Sequence, residues 1–226
     1  MTLFRWPDRA AQNRRLSKDQ ITTRAKMSGV RVGARTRTEL TDAVARIAVT
    51  HLLNLQTTNL PAQGGVEDIT VLSVTLKADT VPKAALTLID KALPRATVFE
   101  CVRPDGRIKM LCAYKRPSEG DSQRWVSVGG YAAVDWSDPA ERLPLPGALS
   151  LAGLYFALIQ SVLPHPAREG ETLPDQIARM EAVAALDKRI ATLERKVARE
   201  RQPNRRVDAN EALKRALQER SDFTDG

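Results

Sequence analysis

Residues 68–115 read DITVLSVTLKADTVPKAALTLIDKALPRATVFECVRPDGRIKMLCAYK, and they decide the fold because strand, helix and hairpin signals follow one another along them. Residues 68–78 are rich in Val, Ile and Thr and form a strand pattern, with Leu72, Val74 and Leu76 on one face. Thr80 is placed to cap the next helix, Pro82 falls in its first turn, and Ala85, Leu88, Ile89 and Ala92 make a buried stripe that stops before Pro94. Residues 97–102 and 107–115 then flank Arg103-Pro104-Asp105-Gly106, a hairpin signal because Pro presets one φ and Gly supplies a positive one. A turn centred on Asp105-Gly106 sets Cys101 opposite Met110 and diagonal to Cys112, as two buried thiols and not a disulfide.

On the C-terminal side, residues 122–136 supply one further strand, with Gly129-Gly130 as a bulge or bend. A Pro-rich connection over residues 143–146 leads to a helix capped by Ser150 and running to Leu163. That helix is apolar on nearly every face and, at ~13 residues, too short to cross a bilayer, so it is expected to cover the sheet. On the N-terminal side, residues 39–55 read as an amphipathic helix with Leu40, Val44, Ile47, Ala48, His51 and Leu52 on its buried face, and residues 56–67 as a loop. The fold class predicted is α+β: a small, mostly antiparallel sheet with covering helices, plus a C-terminal helical arm.

The arm begins after Pro164, Pro166 and a polar loop through Gly170. Thr172 and Asp175 have capping-box spacing, and Pro174 sits in the first turn. Val183, Leu186, Ile190, Leu193 and Val197 recur in steps of three and four, the seam of a coiled coil. The helix over residues 173–200 spans roughly 42 Å at 1.5 Å per residue. Pro203 breaks it, and a second helix over about residues 208–220, with Leu213 and Leu217 on one face, is expected to fold back as an antiparallel partner. The domain boundaries predicted are a basic segment 1–38, an α+β core 39–165 and a helical hairpin or coiled coil 172–226.

The 226 residues contain 35 Lys and Arg against 27 Asp and Glu, a formal charge of +8. Residues 1–40 hold ten basic and three acidic side chains, and residues 187–220 hold eleven and six, so their surpluses of +7 and +5 leave about −4 for the rest. Basic ends around a mildly acidic middle are the footprint of contact with a phosphate backbone, and equally of solvated helices. The basic stretches lack interleaved aromatics for stacking bases; Phe4 and Trp6, the one aromatic pair nearby, read as a pin holding the terminus to the core. With no long apolar run and no secretion-signal pattern in MTLFRWPDRAAQNRR, a cytoplasmic protein without a membrane partner is expected.

The tail sequence LERKVARERQPNRRVDANEAL, residues 193–213, resembles an uncharacterised family of small bacterial proteins classed only as a domain of unknown function. Its members end approximately in Glu-Lys-Gln-Phe-Asn-Arg-Lys-Val-Glu-Leu-Asn after a Leu/Glu/Lys-rich helix. Glu200, Gln202, Asn204, Arg205, Val207 and Asn210 match that ending, Arg201 and Arg206 are basic replacements, and Pro203 stands where the Phe is usual. The resemblance extends to Ile89-Asp90-Lys91-Ala92-Leu93-Pro94, to Ala113-Tyr114-Lys115-Arg116, and to Leu143-Pro144-Leu145-Pro146 leading into Leu151-Ala152-Gly153-Leu154-Tyr155. Members tend to be encoded beside restriction-type helicases and DNA methyltransferases, which implies a role in defence against foreign DNA and supplies no catalytic residues.

Signatures of catalysis are few. His51 and His165 are the only histidines, so a multi-histidine metal site is excluded; there is no P-loop, and the Gly29 to Gly33 stretch lacks the Rossmann spacing. A divergent metal-dependent nuclease would draw on Asp68, Lys77, Asp79, Asp90 and Glu100, but Thr75 stands where a Glu two residues before Lys77 would make that pattern persuasive. Asp90 and Lys91 read as exposed charges at a helix end, and Tyr114, Lys115 and Arg116 as a strand end reaching solvent. No cofactor, metal or catalytic residue is predicted.

The function expected is that of a non-enzymatic accessory subunit of a bacterial DNA-targeting defence complex. The core would be a scaffold, the arm a partner-binding or self-association element, and the basic ends would hold DNA or an acidic surface of the helicase or DNA methyltransferase. The contact residues expected are Arg14, Arg15 and Lys18 at the front and Arg199, Arg201, Gln202, Asn204, Arg205 and Arg206 in the tail. The alternatives are a divergent nuclease of the same kind of system and a stand-alone DNA-binding module.

Overall fold

In the computed structural model, which describes residues 3–93, 95–118 and 121–224, the strand, helix and hairpin of residues 68–115 occupy the middle of a six-stranded sheet. The elements in chain order are β1 (Leu3–Phe4), β2 (Ala11–Leu16), α1 (Lys18–Met27), α2 (Ala34–Ala43), β3 (Val44–Leu53), α3 (Leu55–Thr58), β4 (Ile69–Leu76), α4 (Lys83–Ala92), β5 (Ala96–Val102), β6 (Ile108–Ser118), β7 (Asp121–Ala133), β8 (Arg142–Leu143), α5 (Leu151–Gln160), α6 (Leu173–Arg199) and α7 (Pro203–Thr224). Residues 1–164 and 165–226 form two compact units. The fold is α+β.

The large sheet runs β2-β3-β4-β5-β6-β7. β4 and β5 are parallel, with Leu72 opposite Phe99, and α4 makes the crossover that parallel neighbours require. The other neighbours are antiparallel. Leu72, Val74, Leu76, Phe99 and Cys101 pack with Leu86 and Ile89 of α4, Ile21 of α1 and Leu40 of α2 in one buried cluster. On the opposite face α5 covers β6: the rings of Tyr114 and Phe156 meet edge to face at 5.7 Å, and the Tyr155 hydroxyl donates to the Ala113 carbonyl at 2.6 Å.

Several sequence expectations give way here. The helix expected over residues 39–55 is instead the end of α2 followed by the strand β3, whose register against β4 slips between Val44 and Arg46 and again between Val49 and His51. Each bulge adds a residue and resets the alternation, so the buried side chains of β3 imitate a helical spacing. Residues 56–67 are not wholly loop, since Asn54 caps the one-turn helix α3. Thr80 does not cap α4: Pro82 precedes it, and Glu39 of α2 accepts a hydrogen bond from the Ala84 amide at 3.1 Å. The α4 helix stops at Ala92, before Pro94, which lies outside the described residues.

The β5–β6 hairpin closes through a turn from Arg103 to Gly106 (2.9 Å), with Gly106 at φ +85° as an extra left-handed residue. That residue sets Cys101 opposite Lys109, not Met110, and Cys112 opposite Val98. A one-residue shift reverses the face, so the two cysteines lie on opposite sides of the sheet. Both are free and buried, and burial pushes the Cys101 thiol up to about 12. The β6–β7 register jumps from Cys112 opposite Ala132 to Tyr114 opposite Val128, which places a bulge at Gly129-Gly130 as the glycine pair suggests.

The basic front of the chain is built into this first unit. β2 is an edge strand, Leu16 and Ile21 enter the core, and Trp6 donates its indole N–H to Glu100 at 2.8 Å, pinning the terminus. A short parallel ladder of β1 with β8 joins residues 3–4 to 142–143.

In the second unit α6 and α7 form an antiparallel hairpin. Thr172 caps α6, and Val183, Leu186 and Ile190 of the seam are buried. α7 starts at Pro203, five residues before the expected Asp208: a proline whose missing N–H costs nothing in a first turn opens the second helix as well as closing the first. Ala209 and Ala216 are fully covered, and small side chains there let the two backbones approach. Arg189 pairs with Glu219 at 3.2 Å and Arg220 with Asp187 at 2.5 Å across the helices. At the open end Arg179 donates to both carboxylate oxygens of Glu171 (2.7 and 2.8 Å), to the Pro166 carbonyl at 2.8 Å and to Phe223 at the end of α7 at 3.1 Å.

The Arg179 guanidinium, by hydrogen bonding, holds the Glu171 carboxyl down at about 2, against an ordinary 4.5. Because the folded value is the lower one, this contribution is complete above about pH 4.5 and is lost as pH falls towards 2. Thermal melts of the full chain followed by circular dichroism are expected to show an acid-dependent loss of stability in that window. Replacing Arg179 by Met should lessen the slope and cost about 1–3 kcal/mol at neutral pH; an unchanged slope would refute the role of the pair.

Candidate nucleic-acid interface

The charges of the first unit divide into those spent inside the fold and those left at its surface. Asp90 and Lys115, expected at solvent, are both buried and face each other, Nζ 2.5 Å from Oδ1. Lys115 follows Leu111 in the alternation of β6 and so faces α4, while Asp90 lies one turn beyond Leu86 on the buried side of that helix. The ammonium also reaches the carbonyls of Leu93 (3.2 Å) and Arg95 (2.9 Å), which ties off the end of α4. Thr97 Oγ1 lies 3.3 Å from it, and the Ser127 hydroxyl donates to the other Asp90 oxygen at 3.4 Å. Burial lowers the Lys115 pKa, and Asp90 opposes that shift.

Glu100 lies on the other face of the sheet. Its carboxylate takes two hydrogen bonds from Arg142 (2.7 and 3.2 Å) besides that from Trp6, and Arg142 also donates to the Phe4 carbonyl at 2.7 Å. His51 packs against Trp6 with the rings tilted by 39° and their centroids 6.1 Å apart, in a strand and not on the expected helix, and burial lowers its pKa. Asp68 pairs with Arg95, and Asp79 is exposed in the turn after β4. The residues weighed for a nuclease are therefore dispersed over both faces, and among the described residues no group of three His, Cys, Asp or Glu could hold a metal ion.

The front cations behave differently. Arg15 and Lys18 share a groove of about 450 Å³ at the corner of β2, α1 and β3, and Arg46, missed in the sequence because residues 39–55 read as helix, completes it. Arg14 is exposed on the same edge strand, opposite Val49, and does not line the groove. Lys18 and Lys77 both donate to the Thr41 carbonyl, each at 2.9 Å. Partial burial lowers the Lys18 pKa first, Lys77 lowers it further, and Asp42 opposes.

In the second unit the end where α6 turns into α7 gathers the tail residues. Arg199, Arg201, Gln202, Asn204, Arg205 and Arg206 are all exposed there. Residues 195–206 hold six cations and one acid, Glu200, whose carboxylate accepts from the Gln202 amide at 2.9 Å. The front and tail residues belong to separate units.

The family described as Domain of unknown function (DUF4391) matches residues 4–219, and the chain belongs to that family. No curated protein and no solved structure matches it. Among the described residues no helix is long and apolar enough to cross a membrane.

The family match spans Asp90 and Lys115, whose mutual dependence is open to measurement. Lys115→Met alone strands a carboxylate out of water and is expected to cost about 3–5 kcal/mol in urea denaturation. Adding Asp90→Asn should recover a large part of that loss. Equal destabilisation by the single and the double variant would rule out the pair as the source.

Proposed function

We propose that the protein is a non-enzymatic accessory subunit of a bacterial DNA-targeting, restriction-type defence complex. Its helical arm would hold DNA or an acidic surface of the associated helicase or DNA methyltransferase. The observation that carries this reading is the tip of the arm, where six cations meet one acid on exposed backbone. At the opposite end Arg179 ties the two helices together, so the hairpin presents the tip on a braced stem. The resemblance of the tail to proteins encoded beside helicases and methyltransferases points to the same class of partner.

A nuclease finds less support, because Asp90 and Glu100 lie on opposite faces and each is engaged by a buried or half-buried cation. A stand-alone DNA-binding module shares the tip chemistry and differs in needing no partner protein.

Changing Arg201, Arg205 and Arg206 together to Glu is expected to abolish either duplex retention or co-purification with the neighbouring gene product, with melting temperature nearly unchanged. If duplex DNA is the ligand, removing three phosphate contacts lowers the slope of log K against log salt by about 2.7. Survival of both binding activities would remove the arm from the interface.

A further inference from the structure

We propose that the groove formed by Arg15, Lys18 and Arg46 is a pocket for a nucleotide phosphate. This deepens the nucleic-acid side of the reading above and places a contact in the first unit, so the pocket and the arm fail separately.

Three cations and no carboxylate line the groove, and Ser17 and Gln20 supply its neutral polar groups. Among the described residues Arg15 and Arg46 are exposed and have no hydrogen-bond or ion-pair partner, unlike Arg95, Arg103 and Arg142, each of which is matched to an acid. Lys18 is held beside the groove by the Thr41 carbonyl, which Lys77 shares. Two ammonium groups on one oxygen repel each other, and Asp42 offsets that repulsion at Lys18 only in part. An anion in the groove would relieve that excess.

The shape narrows the anion. A volume of about 450 Å³ belongs to the lower range of small-ligand pockets and admits a phosphate with its nearest neighbours. In the reciprocal cap of α1 Gln20 Oε1 accepts from the Ser17 amide at 2.9 Å and Ser17 Oγ from the Gln20 amide at 3.1 Å, which leaves the Ser17 hydroxyl proton and the Gln20 side-chain amide as donors beside the charged side chains. Two planar guanidinium forks with a lysine point charge suit a phosphate, which offers three oxygens and up to two charges; a carboxylate is satisfied by one fork.

Isothermal titration at low salt of the full chain with AMP, with a 5′-phosphorylated thymidine hexanucleotide and with the same hexanucleotide lacking the terminal phosphate tests the pocket. Saturable binding of at least one probe is expected, weakened about tenfold or more by Arg15→Ala with Arg46→Ala. Both side chains are exposed and unpartnered, so the variant should keep the wild-type melting temperature. Preference for the phosphorylated strand would assign a strand end, equal binding of the two strands an internal phosphodiester, and tightest binding of AMP a free nucleotide. The arm variant with Glu at 201, 205 and 206 should leave this binding intact. Failure of all three probes to bind, or equal binding by wild type and the double variant, overturns the pocket whatever the arm does.

Discussion

An ammonium and a carboxylate withdrawn from water must find each other, and the Asp90–Lys115 pair imposes that condition on the centre of the first unit. Lys115 reaches from β6 to the last turn of α4, and the same nitrogen takes the carbonyls of the segment entering β5. The crossover helix, the strand it delivers and that strand's hairpin partner therefore meet at one charged atom. The apolar packing around it sets volume and shape; this contact adds a fixed length and direction. Its net contribution to stability is small compared with the penalty of leaving either partner alone, so its effect is to specify position.

The middle of the fold could be read from local signals because each element there carried its own: Val and Thr in β4, a clean stripe in α4, and Pro and Gly at the hairpin. β3 was misread for a physical reason, since two bulges break the period of two that identifies a strand. The cysteine register failed over one residue at Gly106. The site divides along the same line. Arg14, Arg15, Lys18 and the tail cations are where their exposure could be foreseen. Arg46 was hidden by the mistaken helix, and the partnership of Asp90 with Lys115 needed the tertiary pairing, although each fell on an apolar face of its own element.

Charge in this protein is sorted by use. Around the sheet three acids are matched to bases: Asp90 with Lys115, Glu100 with Arg142, Asp68 with Arg95. Exposed cations outside such pairs gather at the corner of β2 and at the bend of the arm.

Pro203 gives the bend of the arm a property that charge alone would not. Its ring locks one φ at the first position of α7, and the link from Arg199 to it is only three residues long. The backbone that carries Arg201 and Arg205 has therefore surrendered most of its conformational freedom on folding. A flexible basic tail of the same composition would lose that freedom at the moment of contact, at about 1–2 kcal/mol per residue. An acidic partner of the kind proposed above would meet this bend already ordered, and more of the Coulomb energy would remain as affinity.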